Sequence, residues 1–285
     1  MSLTAVSSTP TGRRWARWLC TAVMAAMCAG LYGVYTGTLH IPEPYNPWAP
    51  LNVAATPSLL TRYKLQRARN DPGAYMAALA QTGRQYTTLP DRVTGSGCGF
   101  TDAVLLRQAN VRLGSPISLS CPMALSLAMW ERHALQPAAL ARFGEPVVAL
   151  QYLGSYACRN INTGESNTSS AGARSRHSTA DALDIEGFTL ASGRRITLLK
   201  DWHGARDTSP PDAAALLLTD ARQGACRFFN GVLSPDYNAA HRDHFHLETG
   251  GGIRCAAEAV RLMVELLNKA VISRVVDIVK PFTAV

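Results

Sequence analysis

The chain turns on two segments, Ser175-Arg176-His177-Ser178-Thr179-Ala180-Asp181-Ala182-Leu183-Asp184 and His241-Arg242-Asp243-His244-Phe245-His246-Leu247-Glu248. Together they hold four of the seven histidines in the chain, each near a carboxylate in sequence. A histidine–aspartate–histidine set suffices for a catalytic zinc, which takes three protein ligands and keeps a fourth position for water. On a strand, alternate side chains share a face. His244 and His246 therefore point one way while Phe245 and Leu247 point into a core, and Asp184 points away from Leu183 and Ile185. A polar face of this kind is costly to bury unless a metal uses it.

Outward from these segments, the pattern alternates between helix and strand. Pro146–Leu153 reads as a buried strand running into Gly154–Arg159, and Asn160–Ala173 as an irregular loop. Ala182–Phe188 and Arg194–Leu199 flank the hairpin signal Ala191-Ser192-Gly193. Asp212–Gly224 is helical in pattern, and Phe228–Leu233 and His244–Leu247 are further strands. Upstream, Ser58–Arg69 and Pro72–Ala80 read as short helices, Asp91–Gly99 as turns, and Cys121-Pro122 as the start of a longer helix. Pro137 interrupts that helix, and Gly144 caps the next one. Helices first, then an antiparallel sheet flanked by helices, make an α+β fold.

The totals fit one sizeable domain with attachments: 285 residues, 47% apolar and 17% charged. A net charge of +8 suits an acidic partner or an anionic envelope. No basic run with interleaved aromatics is present, so nucleic acid is not expected as a partner.

The N-terminus divides the chain. Residues 1–17 are basic, with Arg13, Arg14 and Arg17, and 18–39 form an uncharged run long enough to cross a bilayer. Trp15 and Trp18 at one end and Tyr32 and Tyr35 near the other suit the two interfaces. With the arginines inside, this reads as a single-pass anchor in the inner membrane with the main domain periplasmic. A cleaved signal peptide is the competing reading. Residues 40–57, carrying Pro42, Pro44, Pro47, Pro50 and Pro57, read as a stiff spacer, 58–254 as the domain, and 255–285 as an amphipathic C-terminal helix. In an oxidising compartment the cysteines beyond the anchor should pair. The expected pairs are Cys98 with Cys121 and Cys158 with Cys226, leaving Cys255 over.

Ser175-x-His177-x-x-Ala180-x-Ala182-x-Asp184 resembles the SxHxxGxAxD motif of a group of zinc peptidases. That group includes D-Ala-D-Ala dipeptidases and carboxypeptidases, lysostaphin-type endopeptidases and the hedgehog domain. Asp243-x-x-His246 and His244-x-His246 resemble its second motif, and Ser155-Tyr156-Ala157-Cys158-Arg159 its Ser-Gly-Tyr-Arg segment. With Gly224-Ala225-Cys226 and Asn238–His246, the whole looks most like the bacterial extensin-like C-terminal domain family.

The resemblance implies a zinc ion held by His177, Asp184 and His246. Asp243 would be the general base, and His244 would stabilise the oxyanion or orient water. Arg159 would bind a substrate carboxylate, and Ser175 would support the site by hydrogen bonding. It further implies a peptidase of carboxypeptidase or endopeptidase type acting on peptidoglycan stem peptides or cross-links. The alternative is a non-catalytic zinc-containing domain that binds wall peptides or an envelope partner. Ala180 departs from the motif's glycine, which matters if that position needs a positive φ.

Overall fold

A computed structural model describes residues 10–161, 173–204 and 209–251. The chain falls into two units, Met1–Ala49 and Pro50–Val285. The first contains α1 (Pro10–Tyr35), whose stretch Arg14–Tyr35 has a mean hydropathy of 1.5 and is long and apolar enough to serve as a membrane span or a signal sequence.

The second unit opens before residue 58. Leu51 and Val53 are buried in its core, so the end of the proline-rich stretch belongs to the domain. Two short helices follow, α2 (Thr61–Arg69) and α3 (Pro72–Ala80). Asp71 starts α3 by accepting a hydrogen bond from the Ala74 N–H, with Pro72 at the first position.

The next strands are β1 (Gln85–Leu89), β2 (Arg92–Gly95), β3 (Cys98–Phe100), β4 (Ala103–Gln108), β5 (Arg112–Leu113) and β6 (Ile117–Ser120). β2 and β3 form a separate two-stranded hairpin where the sequence suggests only turns, and β1-β4-β6 form a small antiparallel sheet. The small residues that suggest turns, Gly95, Gly97 and Gly99, are also what lets the hairpin fold tightly. A Cβ at Gly99 would lie 2.0 Å from the Arg92 carbonyl across the ladder.

Helix α4 (Cys121–Trp130) is capped by Ser120 and continues through a π-helical turn, Glu131–Leu135, into α5 (Gln136–Phe143). Gly144, at φ 69°, ends α5 in the left-handed conformation. Glu131 in the π turn is fully buried and forms an ion pair with the equally buried Arg84. His133 is not the surface residue its polar neighbours Glu131 and Arg132 suggest: its Nε2 contacts the Val53 carbonyl at 2.8 Å.

The main sheet is six-stranded. β7 (Val147–Gly154), β8 (Ala182–Leu190), β9 (Arg195–Thr197), β10 (Gly231–Leu233) and β11 (Phe245–Glu248) join β5 in the order β10-β11-β8-β7-β5, with β9 also paired to β8. Among the described strands of this sheet only the β5–β7 pair is parallel. Between β9 and β10 lie α6 (Leu198–Asp201) and α7 (Ala213–Ala225), the latter capped by Asp212. Trp130 packs against Phe188 and Phe229 in the core, and its indole N–H donates to the Ala221 carbonyl at 2.9 Å.

The expected disulfides are replaced. Cys98 pairs with Cys158, stapling the β2–β3 hairpin to the segment after β7. Cys226 is also disulfide-bonded, while Cys121 is a free buried thiol, pushed up to about 12 by burial and then by Asp102. Sequence spacing does not define connectivity, because the hairpin meets the segment after β7 only through the fold. The expected C-terminal helix and Cys255 lie outside the described residues.

Candidate metal centre

The first ligand segment is a 3₁₀ turn, Arg176–Thr179. Ser175 caps it, its Oγ accepting from the His177 N–H at 3.4 Å. Ala180 ends the turn at φ 57° and is fully buried against Phe100 and Ala103. The motif position therefore does adopt a positive φ, and alanine accepts it. Asp181 then locks the turn in place: its carboxylate accepts from the Ser120 hydroxyl at 2.6 Å and the Thr179 hydroxyl at 2.7 Å.

The second half of the centre comes from strand register. β8 and β11 are antiparallel, with His246 directly opposite Asp184. Cross-strand partners on one face bring their side chains together, and His246 Nδ1 lies 2.8 Å from Asp184 Oδ1. His177 completes the group, its Nε2 lying 3.1 Å from Asp184 Oδ2 and 3.2 Å from His246 Nδ1. One donor atom from each of the three lies within 4.8 Å of the others, and all three residues are buried.

The outer partners of the two rings decide how the group can be used. His177 Nδ1–H donates to the Ser155 carbonyl at 3.0 Å, and His246 Nε2–H donates to the Glu248 carboxylate at 3.2 Å. The inward nitrogens, His177 Nε2 and His246 Nδ1, then both present lone pairs towards a carboxylate. Three electron-rich atoms held this close repel one another unless a cation lies among them. In the metal-free chain a proton can fill that role: burial works against a charged His246, but hydrogen bonds to Asp184 and Glu248 outweigh it and raise its pKa to about 9. Burial likewise opposes ionisation of Asp184, and the contacts with the His177 and His246 rings outweigh it once a proton lies among them, holding the carboxyl well below the usual range. A divalent ion fits the same donors, and imidazoles oriented by an outer carbonyl and carboxylate are the usual arrangement around one. The residues thus form a possible metal-binding cluster.

Glu248 is a further participant, outside the motif residues, that holds the His246 ring from behind. It follows His246 by two on β11, so the alternation that aligns His244 with His246 extends to it. Gly231 sits opposite on β10, where a Cβ would lie 2.6 Å from the Glu248 carboxylate, so the missing side chain makes its room.

Around the cluster opens a cleft of about 590 Å³, lined among others by Arg159, Arg176, Tyr237, His241 and His244. His244 Nε2 lies 3.6 Å from Asp184 Oδ1, and its Nδ1–H donates to Asp243 at 2.8 Å. Asp243 is thus brought to the site through His244. Arg159 Nη2 stands 4.0 Å from Asp184 Oδ2, with its side chain 42% exposed. His241, whose position in the chain suggests a surface loop, is part of the cleft wall. Its Nδ1–H donates to Asn238 at 2.6 Å, and burial, followed by the charges of His244 and His246, lowers its pKa to about 4.

The model of the family described as extensin-like protein C-terminus matches residues 74–256, a span that includes every residue of this centre. The chain belongs to that family. No curated protein and no solved structure matches the chain. The match begins within α3, takes in every strand from β1 to β11, and carries no statement of chemistry.

Proposed function

We propose that this extensin-like domain is a zinc-dependent peptidase acting on peptidoglycan stem peptides or cross-links. The observation that supports it best is the convergence of two imidazole lone pairs and a carboxylate on the floor of an open cleft, beside a hydrogen-bonded aspartate–histidine pair. Zinc held by His177, Asp184 and His246 would supply a Lewis acid that polarises a peptide carbonyl and lowers the pKa of water.

The protein's own residues supply the rest. Asp243 and His244 act as one proton-accepting unit: Asp243 holds the Nδ1–H tautomer, leaving His244 Nε2 facing the cleft to accept a proton. The pair takes up the proton released as water adds to the carbonyl carbon and returns it to the departing amine. Arg159 binds a substrate carboxylate through its forked donors. Its closeness to Asp184, 4.0 Å, supports a substrate whose carboxylate lies near the bond that is cut, as in a carboxypeptidase.

The apolar N-terminal helix, the Cys98–Cys158 disulfide and the net charge of +8 support a domain held outside the cytoplasm by residues 18–39 in the inner membrane. Digestion of purified muropeptides by the zinc-loaded chain, with Asp243→Asn alongside, tests the function. Release of D-alanine or of separated stems, lost in the variant, is expected. Binding without cleavage would identify a non-catalytic wall-binding domain instead.

A further inference from the structure

The charged groups of the cleft are unequally committed. Asp184 and Glu248 both face the imidazole rings of the centre. Among the arginines, Arg174 donates to the Ser96 carbonyl and to Asn160 Oδ1, both at 2.9 Å. Arg176 lines the cleft half-buried, and among the described residues its guanidinium has no hydrogen bond or ion pair. It lies against the backbone just past β11: a Cβ at Gly250 would be 3.4 Å from Arg176 Nη1 and 2.8 Å from Arg69 Nη2. Two guanidinium groups are therefore neighbours at one glycine. Arg69 donates to the neutral Asn230 side chain at 2.8 Å, with the Asp181 carboxylate acting on it only from beyond ion-pair distance.

Adjacent like charges repel in a partly buried setting, and an anion between or beside them removes that cost. Guanidinium forks match a carboxylate in shape as well as in charge. The positions of Arg159 and Arg176 add a direction. Contacts run Arg159–Asp184–His246–Glu248, and Arg176 stands beyond Glu248, its Nε 3.7 Å from the position a Gly251 Cβ would take. A cation thus stands at each end of the row of side chains that makes the centre.

We propose that Arg176, backed by Arg69, forms a second anion-binding position at the end of the cleft away from Arg159. Its ligand is a peptide carrying two carboxylates, one on either side of the bond to be cut. This specificity rests on the peptidase reading above for the bond between them. It predicts a preference for stem peptides whose side carboxylates are free over those in which they are amidated.

The test is calorimetric binding to the zinc-loaded full chain in an Asp243→Asn background, which holds turnover down. The probes are L-alanyl-γ-D-glutamyl-L-lysyl-D-alanyl-D-alanine and the same pentapeptide amidated at the glutamyl α-carboxylate. Amidation should weaken binding at least about tenfold, the range of one charge-assisted contact. Arg176→Gln should bind both forms as weakly as the parent binds the amide, while Arg176→Lys should keep part of the difference. Metal content of each variant shows that the fold is intact. Equal binding of acid and amide by the parent, discrimination that survives in Arg176→Gln, or no binding of either peptide would overturn the proposal. Cleavage by the unaltered chain is measured separately. Discrimination without cleavage would sink the peptidase reading and leave the anion position standing.

Discussion

His177 Nε2 and His246 Nδ1 face each other across 3.2 Å, each on a ring whose N–H is directed outward, to Ser155 and to Glu248. Two facing lone pairs beside a carboxylate make a receptor for a cation.

Glu248 fixes the His246 ring without touching the cation position. Removing such an outer partner typically costs about 10- to 100-fold in metal affinity. Glu248→Ala should raise the zinc dissociation constant by about that factor in a chelator competition, with the fold retained. An unchanged constant would show that the ring is oriented by something else.

The Cys98–Cys158 disulfide should matter to the centre as well as to stability. It closes a separation of 60 residues, a stabilisation of about 4 kcal/mol on the chain-entropy model. The segment it anchors provides the Ser155 carbonyl to His177 and carries Arg159, and Tyr156 in the same segment packs edge-on against Phe100 of the hairpin at 5.3 Å. Cys98→Ala/Cys158→Ala should therefore lower the melting temperature and also weaken zinc binding in the folded protein. A lower melting temperature with an unchanged zinc constant would confine the disulfide to stability.

Ala180 allows magnitudes to decide a sign. Its left-handed φ costs about 1–2 kcal/mol relative to glycine. Against this, glycine would lose a buried methyl group, about 0.8 kcal/mol, and gain freedom in the unfolded chain worth about 0.4–1 kcal/mol. Ala180→Gly should thus shift stability by less than about 1 kcal/mol in denaturant unfolding, whereas Ala180→Val, β-branched and larger in a closed pocket, should destabilise by about 2 kcal/mol or more. A strongly stabilising glycine would show that the departure from the motif carries real strain.

Acidity gives a further check. In the metal-free chain the His246 pKa is raised from 6.5 to about 9. A raised value stabilises the fold fully below about pH 6.5, and that contribution is lost as pH rises through about 9. The depressed Asp184 carboxyl works in the opposite sense, contributing above its ordinary value of 3.8 and losing its contribution as acid protonates it. A metal must displace the His246 proton, so zinc affinity should rise with pH throughout the range below about 9 and level off above it. Affinity that is flat over that window would mean that His246 is not a ligand.

The centre was legible because its pattern is local. Alternation along 182–185 and 244–247 places Asp184 and His246 on polar faces, and the structure sets them opposite each other on β8 and β11. The same alternation also reaches Glu248, though its role shows only when Gly231 is found across the strand. Contacts between distant segments were not legible. The β2–β3 hairpin hid behind its glycines, and with it the Cys98–Cys158 pairing. His241 enters the cleft only because the turn at Asn238–His241 folds back over β11. Leu51 and Val53 look like spacer residues until the fold buries them in the domain core, with the Val53 carbonyl meeting His133 of the π turn.

The most direct measurement is the zinc content of the full chain purified without chelator, alongside His177→Ala. One zinc per chain, lost in the variant while the fold persists, is the predicted result. A chain that remains metal-free after zinc is offered, or a variant that keeps its zinc, would contradict the account.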